Sequence, residues 1–229
     1  MELQILGHAK LTEGVTKWSP QFGSVERSEP KASSQFGSAE RGEAKRSQQF
    51  DFVERGETEL WEENVEKIKK VDYSKPCLLI STEDVFLGDS GNYKETDLPN
   101  PRNYYGLTKL IAEQLILTMC PISLVVRVSF VEDKWLHPVA YTDQHTSADY
   151  IDVVIKQLSW VINRYNEILE YLNKKGLQRI LHLGTERKSM YDLIIQRNPE
   201  VWPGRRKEGK PLDTSLDTSL YKRIRLVIL

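Results

Sequence analysis

Two short apolar runs set the frame for this chain. Cys77-Leu78-Leu79-Ile80 ends on the hydroxyl pair Ser81-Thr82, and a second run extends from Leu124 to Phe130. Between them lie a polar loop and a helix-like stretch that begins near Tyr105. An apolar run of this length bounded by turn residues fits a strand buried on both faces, and two such strands joined by a helix make a βαβ unit. The spacing therefore predicts an α/β fold built on a parallel sheet.

The middle of this unit carries chemistry. If Asn103 caps a helix reaching about Cys120, Tyr105 and Lys109 stand four residues apart on one helical face. A free tyrosine titrates near ~10, and an ammonium within about 4–6 Å favours the phenolate and lowers that value. Such a tyrosine is a candidate general acid toward a carbonyl oxygen. Thr82 adds a hydroxyl at the carboxyl end of the preceding strand, where open α/β sheets bind ligands. The same tyrosine-lysine spacing recurs at Tyr171 and Lys175, but no strand-borne hydroxyl precedes that pair. It reads as a core aromatic with a solvated lysine.

Taken together, Ile80-Ser81-Thr82-Glu83-Asp84-Val85-Phe86, then Gly91, Tyr93, Glu95-Thr96-Asp97, Pro99, Pro101, Asn103, Tyr105-Gly106, Thr108-Lys109 and Glu113 resemble the central segment of the extended short-chain dehydrogenase/reductases, most of all their dTDP-4-dehydrorhamnose reductase branch. The resemblance implies a Rossmann-like parallel sheet with flanking helices and a small carboxy-terminal substrate lobe. It also implies NAD(P)H-dependent reduction of a sugar-nucleotide 4-ketone. In that family the tyrosine gives the proton, the lysine lowers its pKa and holds the nicotinamide ribose, and the threonine orients the carbonyl. Those roles fall on Tyr105, Lys109 and Thr82, with Gly7 a further cofactor contact and Val85, Asn103 and Arg205 facing substrate. The family usually has Asp-Tyr where this chain has Glu83-Asp84.

Glu2 to Leu6 reads as a first strand with Gly7 opening a dinucleotide loop, but Lys10 and Glu13 stand where the family places two further glycines. Bare backbone there lets N–H groups reach a pyrophosphate. Losing two or three charge-assisted hydrogen bonds of roughly 1.5–3 kcal/mol each lowers cofactor affinity by about two orders of magnitude or more. Residues 21–62 then run as three tandem 14-residue units, opening Gln21-Phe22-Gly23-Ser24, Gln35-Phe36-Gly37-Ser38 and Gln49-Phe50-Asp51-Phe52. They hold too little apolar surface for a core and are expected to be flexible, or to serve as an interaction segment. The nucleotide-binding half is thus expected to be interrupted, with residues 1–20 a remnant of its first strand and loop and residues 63–229 the reductase-like domain. Asn64 has two readings, support of an active-site water network or a helix-surface amide.

Beyond the second strand, His137 and His145 lie in loops without carboxylate or cysteine spacing for a metal, and read as surface residues. One helix is expected from Ala148 to Lys175, capped by Thr146 or Ser147, with Ile151, Val154, Leu158, Ile162, Tyr165, Leu169 and Leu172 on its apolar face. Arg179 to Leu183 reads as a further strand with His182 on a sheet face, and Ser189 to Arg197 as a helix. Arg205-Arg206-Lys207 suits a diphosphate or is a solvated surface cluster.

A formal charge of −1 gives no electrostatic reason to expect nucleic acid, and no apolar run is long enough for a membrane span. Cys77 and Cys120 form neither a metal pattern nor a disulfide framework, so a cytoplasmic setting is expected. NADPH or NADH is the expected cofactor, a nucleotide sugar the expected partner, and a homodimer the assembly that the resemblance implies. The alternative is a noncatalytic sugar-nucleotide-binding or regulatory protein, or an inactive remnant of such a reductase.

Overall fold

The computed structural model describes residues 2–7 and 56–228. Lys10, Glu13 and most of the 14-residue repeats lie outside them. Ten strands are present among the described residues: β1 (Gln4–Leu6), β2 (Cys77–Thr82), β3 (Ser123–Val128), β4 (Phe130–Val131), β5 (Val139–Tyr141), β6 (His145–Thr146), β7 (Asp149–Tyr150), β8 (Ile180–His182), β9 (Lys188–Ser189) and β10 (Trp202–Gly204). The helices are α1 (residues 56–69, with a π-type turn over Glu62–Glu66), α2 (Tyr104–Met119), α3 (Ile151–Asn163), α4 (Tyr165–Lys174), α5 (Met190–Ile194) and α6 (Ser219–Val227).

The main sheet is parallel throughout, in the order β1-β2-β3-β8. Every residue of β2 and β3 is buried, as their unbroken apolar runs predict. Period-two alternation sends their side chains to two separate cores. Leu78, Ile80, Leu124, Val126 and Leu181 meet Val154, Leu158 and Val161 of α3, Ile168 and Leu172 of α4, and Tyr221 and Ile224 of α6. Cys77, Leu79, Val125 and Ile180 meet Ile68 of α1 and Ala112 and Ile116 of α2. Helices thus cover both faces, the arrangement of a Rossmann-like sheet.

The expected long helix over 148–175 is two helices. Asp149–Tyr150 pairs in parallel with Phe130–Val131, so the first begins only at Ile151, and Thr146 accepts from the Ala148 amide instead of capping a helix. The chain then bends at Arg164 (φ −114°, ψ 18°). Across the bend the Tyr165 hydroxyl donates to the carbonyls of Cys77, at 3.0 Å, and Ile122, satisfying main-chain groups beside the starts of β2 and β3. Of the predicted apolar face, Val154, Leu158, Tyr165, Leu169 and Leu172 reach the core and Ile162 packs against it, while Ile151 stays partly exposed. Helix α5 starts where expected, at a capping box of Ser189 and Asp192, but ends at Ile194.

A small lobe lies toward the carboxyl end, made of the β5–β10 and β6–β9 pairs over a core of Ala140, Ala148, Tyr150, Leu193, Ile194 and Val201.

Candidate functional site

Asn103 caps α2 as the sequence predicts, its Oδ1 accepting from the Gly106 amide at 2.7 Å. This cap fixes Tyr105 in the first helical turn. Gly106 is required there, since a Cβ would lie 2.1 Å from the Asp84 carbonyl oxygen. The tight turn Glu83–Val85, entered from β2 through Thr82, is thereby laid against the start of α2. The Thr82 Oγ1 accepts from the Asp84 amide at 3.2 Å, and its side chain lies close enough to the Tyr105 hydroxyl to oppose the rise of the phenol's pKa.

Lys109 is buried on the same helical face, and its Nζ donates to the Ile80 carbonyl at 2.6 Å. Burial brings its amine down to about 8, against the opposing charge of Glu113. Gly7 adopts φ +108°, where a Cβ would lie 2.8 Å from that same Ile80 oxygen. Three groups expected at the site, Thr82, Tyr105 and Lys109, therefore gather at the carboxyl end of β2, with Gly7 beside them at the end of β1.

One expectation is corrected. The tyrosine-lysine spacing predicts a lowered phenol, yet burial, then Asp84 and Glu83, hold Tyr105 above its ordinary value, with Thr82 opposing. The ammonium is directed at a main-chain carbonyl, while two carboxyl groups sit in the turn packed on Tyr105's own helical turn.

Glu83, which sequence reasoning noted only as a departure from the family, belongs to this cluster. Its carboxyl accepts from Ser129 Oγ, and burial and then Asp84 push it up to about 8. Ser129 follows β3 directly, a hydroxyl just past a strand end as Thr82 is the last residue of β2, and that parallel was the available signal. A carboxyl raised in the fold binds its proton more tightly folded than unfolded. Its contribution is full below the ordinary 4.5 and is lost as pH rises through 8. His182, lowered to about 3, acts in the opposite sense over a more acidic window that ends near its ordinary 6.5. Lys109, lowered to about 8, acts in the opposite sense above that pH, so stability in urea is expected to fall from pH 6.5 to 7.5, and Glu83→Gln to flatten that slope. A wild-type slope of the opposite sign would refute the assignment.

Asn64 is not a surface amide. It is 3% exposed, within the π-type turn of α1, and its Nδ2 donates to Thr108 Oγ1 at 3.1 Å, which in turn donates to the Tyr105 carbonyl. Its Oδ1 has no partner among the described residues. π-Type turns recur at functional sites.

The three residues expected to face substrate differ. Val85 is fully buried among Phe86, Tyr93 and Leu216, so its side chain packs the base of the turn. The Asn103 side chain is engaged by the Gly106 amide as the helix cap. Arg205 is 86% exposed, its guanidinium 3.8 Å from Asp143. Its loop is tied to the start of α2 by Arg102 Nη2, which donates to the Gly209 carbonyl at 2.7 Å.

Tyr171 packs on the core, as read for the second tyrosine-lysine match. His137 is exposed, and no group of metal ligands occurs among the described residues. A concavity of about 510 Å³ lined by Arg164, Glu167, Glu170, Tyr171, Lys174, Val227 and Ile228 includes none of Thr82, Tyr105 and Lys109. The convergence of side chains, not cavity size, marks the site.

A parallel sheet covered on both faces thus carries a threonine, a tyrosine and a lysine gathered at its carboxyl edge. Residues 63–140 match the RmlD substrate binding domain. A curated dTDP-4-dehydrorhamnose reductase from Aggregatibacter actinomycetemcomitans is 41% identical over 61 residues, 26% of this chain and 21% of that protein. Methionine adenosyltransferase 2 subunit beta from Danio rerio is 49% identical over 51 residues, 22% of this chain and 16% of that protein. The crystal structure of a hypothetical dTDP-4-dehydrorhamnose reductase from Sulfolobus tokodaii superposes with TM-score 0.54 at 25% identity, covering 73% of this chain and 65% of that one. Other solved proteins of this fold hold NADP, NAD or a UDP-sugar analogue. Over the matched residues the chain is similar to the extended short-chain dehydrogenase/reductases of the dTDP-4-dehydrorhamnose reductase-like branch. The curated matches span about a fifth of those proteins' length or less. No helix among the described residues is long and apolar enough to cross a membrane.

Proposed function

We propose that this chain reduces the 4-ketone of a nucleotide sugar with NADPH or NADH. The observation that carries this reading is the meeting of Thr82, Tyr105 and Lys109 at the carboxyl end of β2. A nicotinamide nucleotide fits two features of the described residues, the positive φ of Gly7 at the end of β1 and the buried, unpartnered Oδ1 of Asn64. Gly7, Tyr105 and Lys109 would hold the cofactor, which supplies a hydride when bound.

The chain's own residues do the rest. Thr82 orients the carbonyl oxygen toward the phenol. Tyr105, kept protonated by burial and by its carboxyl neighbours, gives its O–H proton to that oxygen as charge develops there. The Lys109 amine, at about 8, is largely an ammonium at neutral pH and holds the ribose hydroxyls. Asn64, through Thr108, holds the first turn of α2 and leaves Oδ1 for a bridging water. Arg205 and its basic neighbours are placed on the loop tied to α2, where arginine forks suit a diphosphate. In this reading the protein works as a soluble cytoplasmic homodimer, with residues 21–62 an insertion in the nucleotide-binding half.

Incubation with NADPH and a panel of nucleotide 4-ketosugars, followed by loss of nicotinamide absorbance, tests the reading. Turnover dependent on both partners is expected, and none with any ketone would refute it.

A second reading is a noncatalytic sugar-nucleotide-binding or regulatory subunit. It is favoured by Lys10 and Glu13 at the glycine positions and by the local identity to a protein named as a subunit. Ligand affinity without turnover would distinguish it.

A further inference from the structure

The strand register places Ser81, Arg127 and His182 side by side on β2, β3 and β8. Alternation puts this row on the face shared by Leu79, Val125 and Ile180, which is covered by α2. All three residues are buried, and a fourth polar residue, Glu113, enters from α2. Glu113 Oε1 accepts from Ser81 Oγ at 2.5 Å and Arg127 Nε at 3.0 Å, while Oε2 accepts from Arg127 Nη2 at 2.7 Å. Arg127 Nη1 donates to His182 Nε2 at 3.3 Å, so His182 carries its proton on Nδ1 and donates it to the Tyr93 carbonyl at 3.1 Å. The Phe86 ring lies 5.0 Å from the guanidinium and stacks on Tyr93 at 4.3 Å. Tyr93 in turn bonds the lobe, giving its amide to the Ser215 carbonyl and accepting from the Asp217 amide.

Tyr105, Lys109 and Glu113 fall at intervals of four on α2, a single helical stripe. We propose that Glu113 and Arg127 form a positioning pair that fixes the rotation of α2, so that Tyr105 meets Thr82 and Lys109 meets the end of β2. A planar fork gripping a carboxylate at two points admits one orientation, where an apolar contact tolerates slip. Stability alone does not call for the pair, because apolar residues of similar volume commonly replace a buried ion pair without loss. The catalytic meaning of this alignment rests on the reductase reading. The alignment itself does not.

The test compares the wild type, Arg127→Lys and the double variant Glu113→Leu/Arg127→Met, which removes both charges of the pair together. Each is labelled with 3-fluorotyrosine, and ionisation at position 105 is followed by ¹⁹F NMR, the signal being assigned by its loss in Tyr105→Phe. The double variant is expected to keep the wild-type urea midpoint while its Tyr105 titrates at lower pH than in the wild type, and Arg127→Lys to shift in the same direction. If the wild type reduces a nucleotide ketosugar, the double variant is expected to do so about 100-fold more slowly, the scale of a 1 Å misplacement. Absence of wild-type turnover would end the reductase reading and leave the fluorine titration to decide the alignment. A folded double variant with unchanged Tyr105 titration would overturn the proposal. So would a double variant that fails to fold, since the pair would then serve the fold itself.

Discussion

Tyr105→Phe is expected to abolish turnover while leaving cofactor and substrate affinity within a few-fold of the wild type. The substitution removes one hydroxyl from a site that keeps Thr82 in place and Lys109 on Ile80. A positioned acid contributes roughly 10²–10⁴ in rate, and its removal lowers kcat and kcat/KM together. Steady-state kinetics with a nucleotide ketosugar and NADPH provide the check. Turnover that survives the substitution would mean that another group supplies the proton. Glu83, bonded to Ser129 and pushed up to about 8, would then be the first to examine.

Arg127→Ala is expected to destabilise the protein by about 3–5 kcal/mol, the usual cost of breaking a buried ion pair by removing one partner. Glu113 would lose both guanidinium hydrogen bonds and keep the one from Ser81, and His182 would lose the donor to its Nε2. The Phe86 ring would also lose the guanidinium it faces. Urea denaturation at pH 7 measures the effect. A loss below about 1 kcal/mol, the range of exposed pairs, would show that the network is far more hydrated than its geometry implies.

The parts of this molecule legible in sequence are those written locally. Unbroken apolar runs gave β2 and β3, Asn103 gave the start of α2, and a spacing of four put Tyr105 and Lys109 on one face. What escaped depends on residues far apart in the chain. The bend at Arg164 accompanies a hydroxyl bond to carbonyls beside two strands, which helical periodicity does not encode. The burial of Asn64 depends on how α1 packs against α2. The sign of the shift at Tyr105 depends on Lys109 choosing a carbonyl of β2 and on the Glu83–Asp84 turn folding onto Gly106. Ser81, Arg127 and His182 form a row only once three strands are in register. Val85 follows Thr82 closely in sequence, yet its side chain turns into the core.

Titration of the full chain with NADH and NADPH, followed by nicotinamide fluorescence, tests the central claim most directly, because a reductase must first hold its cofactor. Saturable micromolar binding, weakened by Lys109→Met, is the predicted result. A folded protein that binds neither nucleotide up to millimolar concentration would contradict the account.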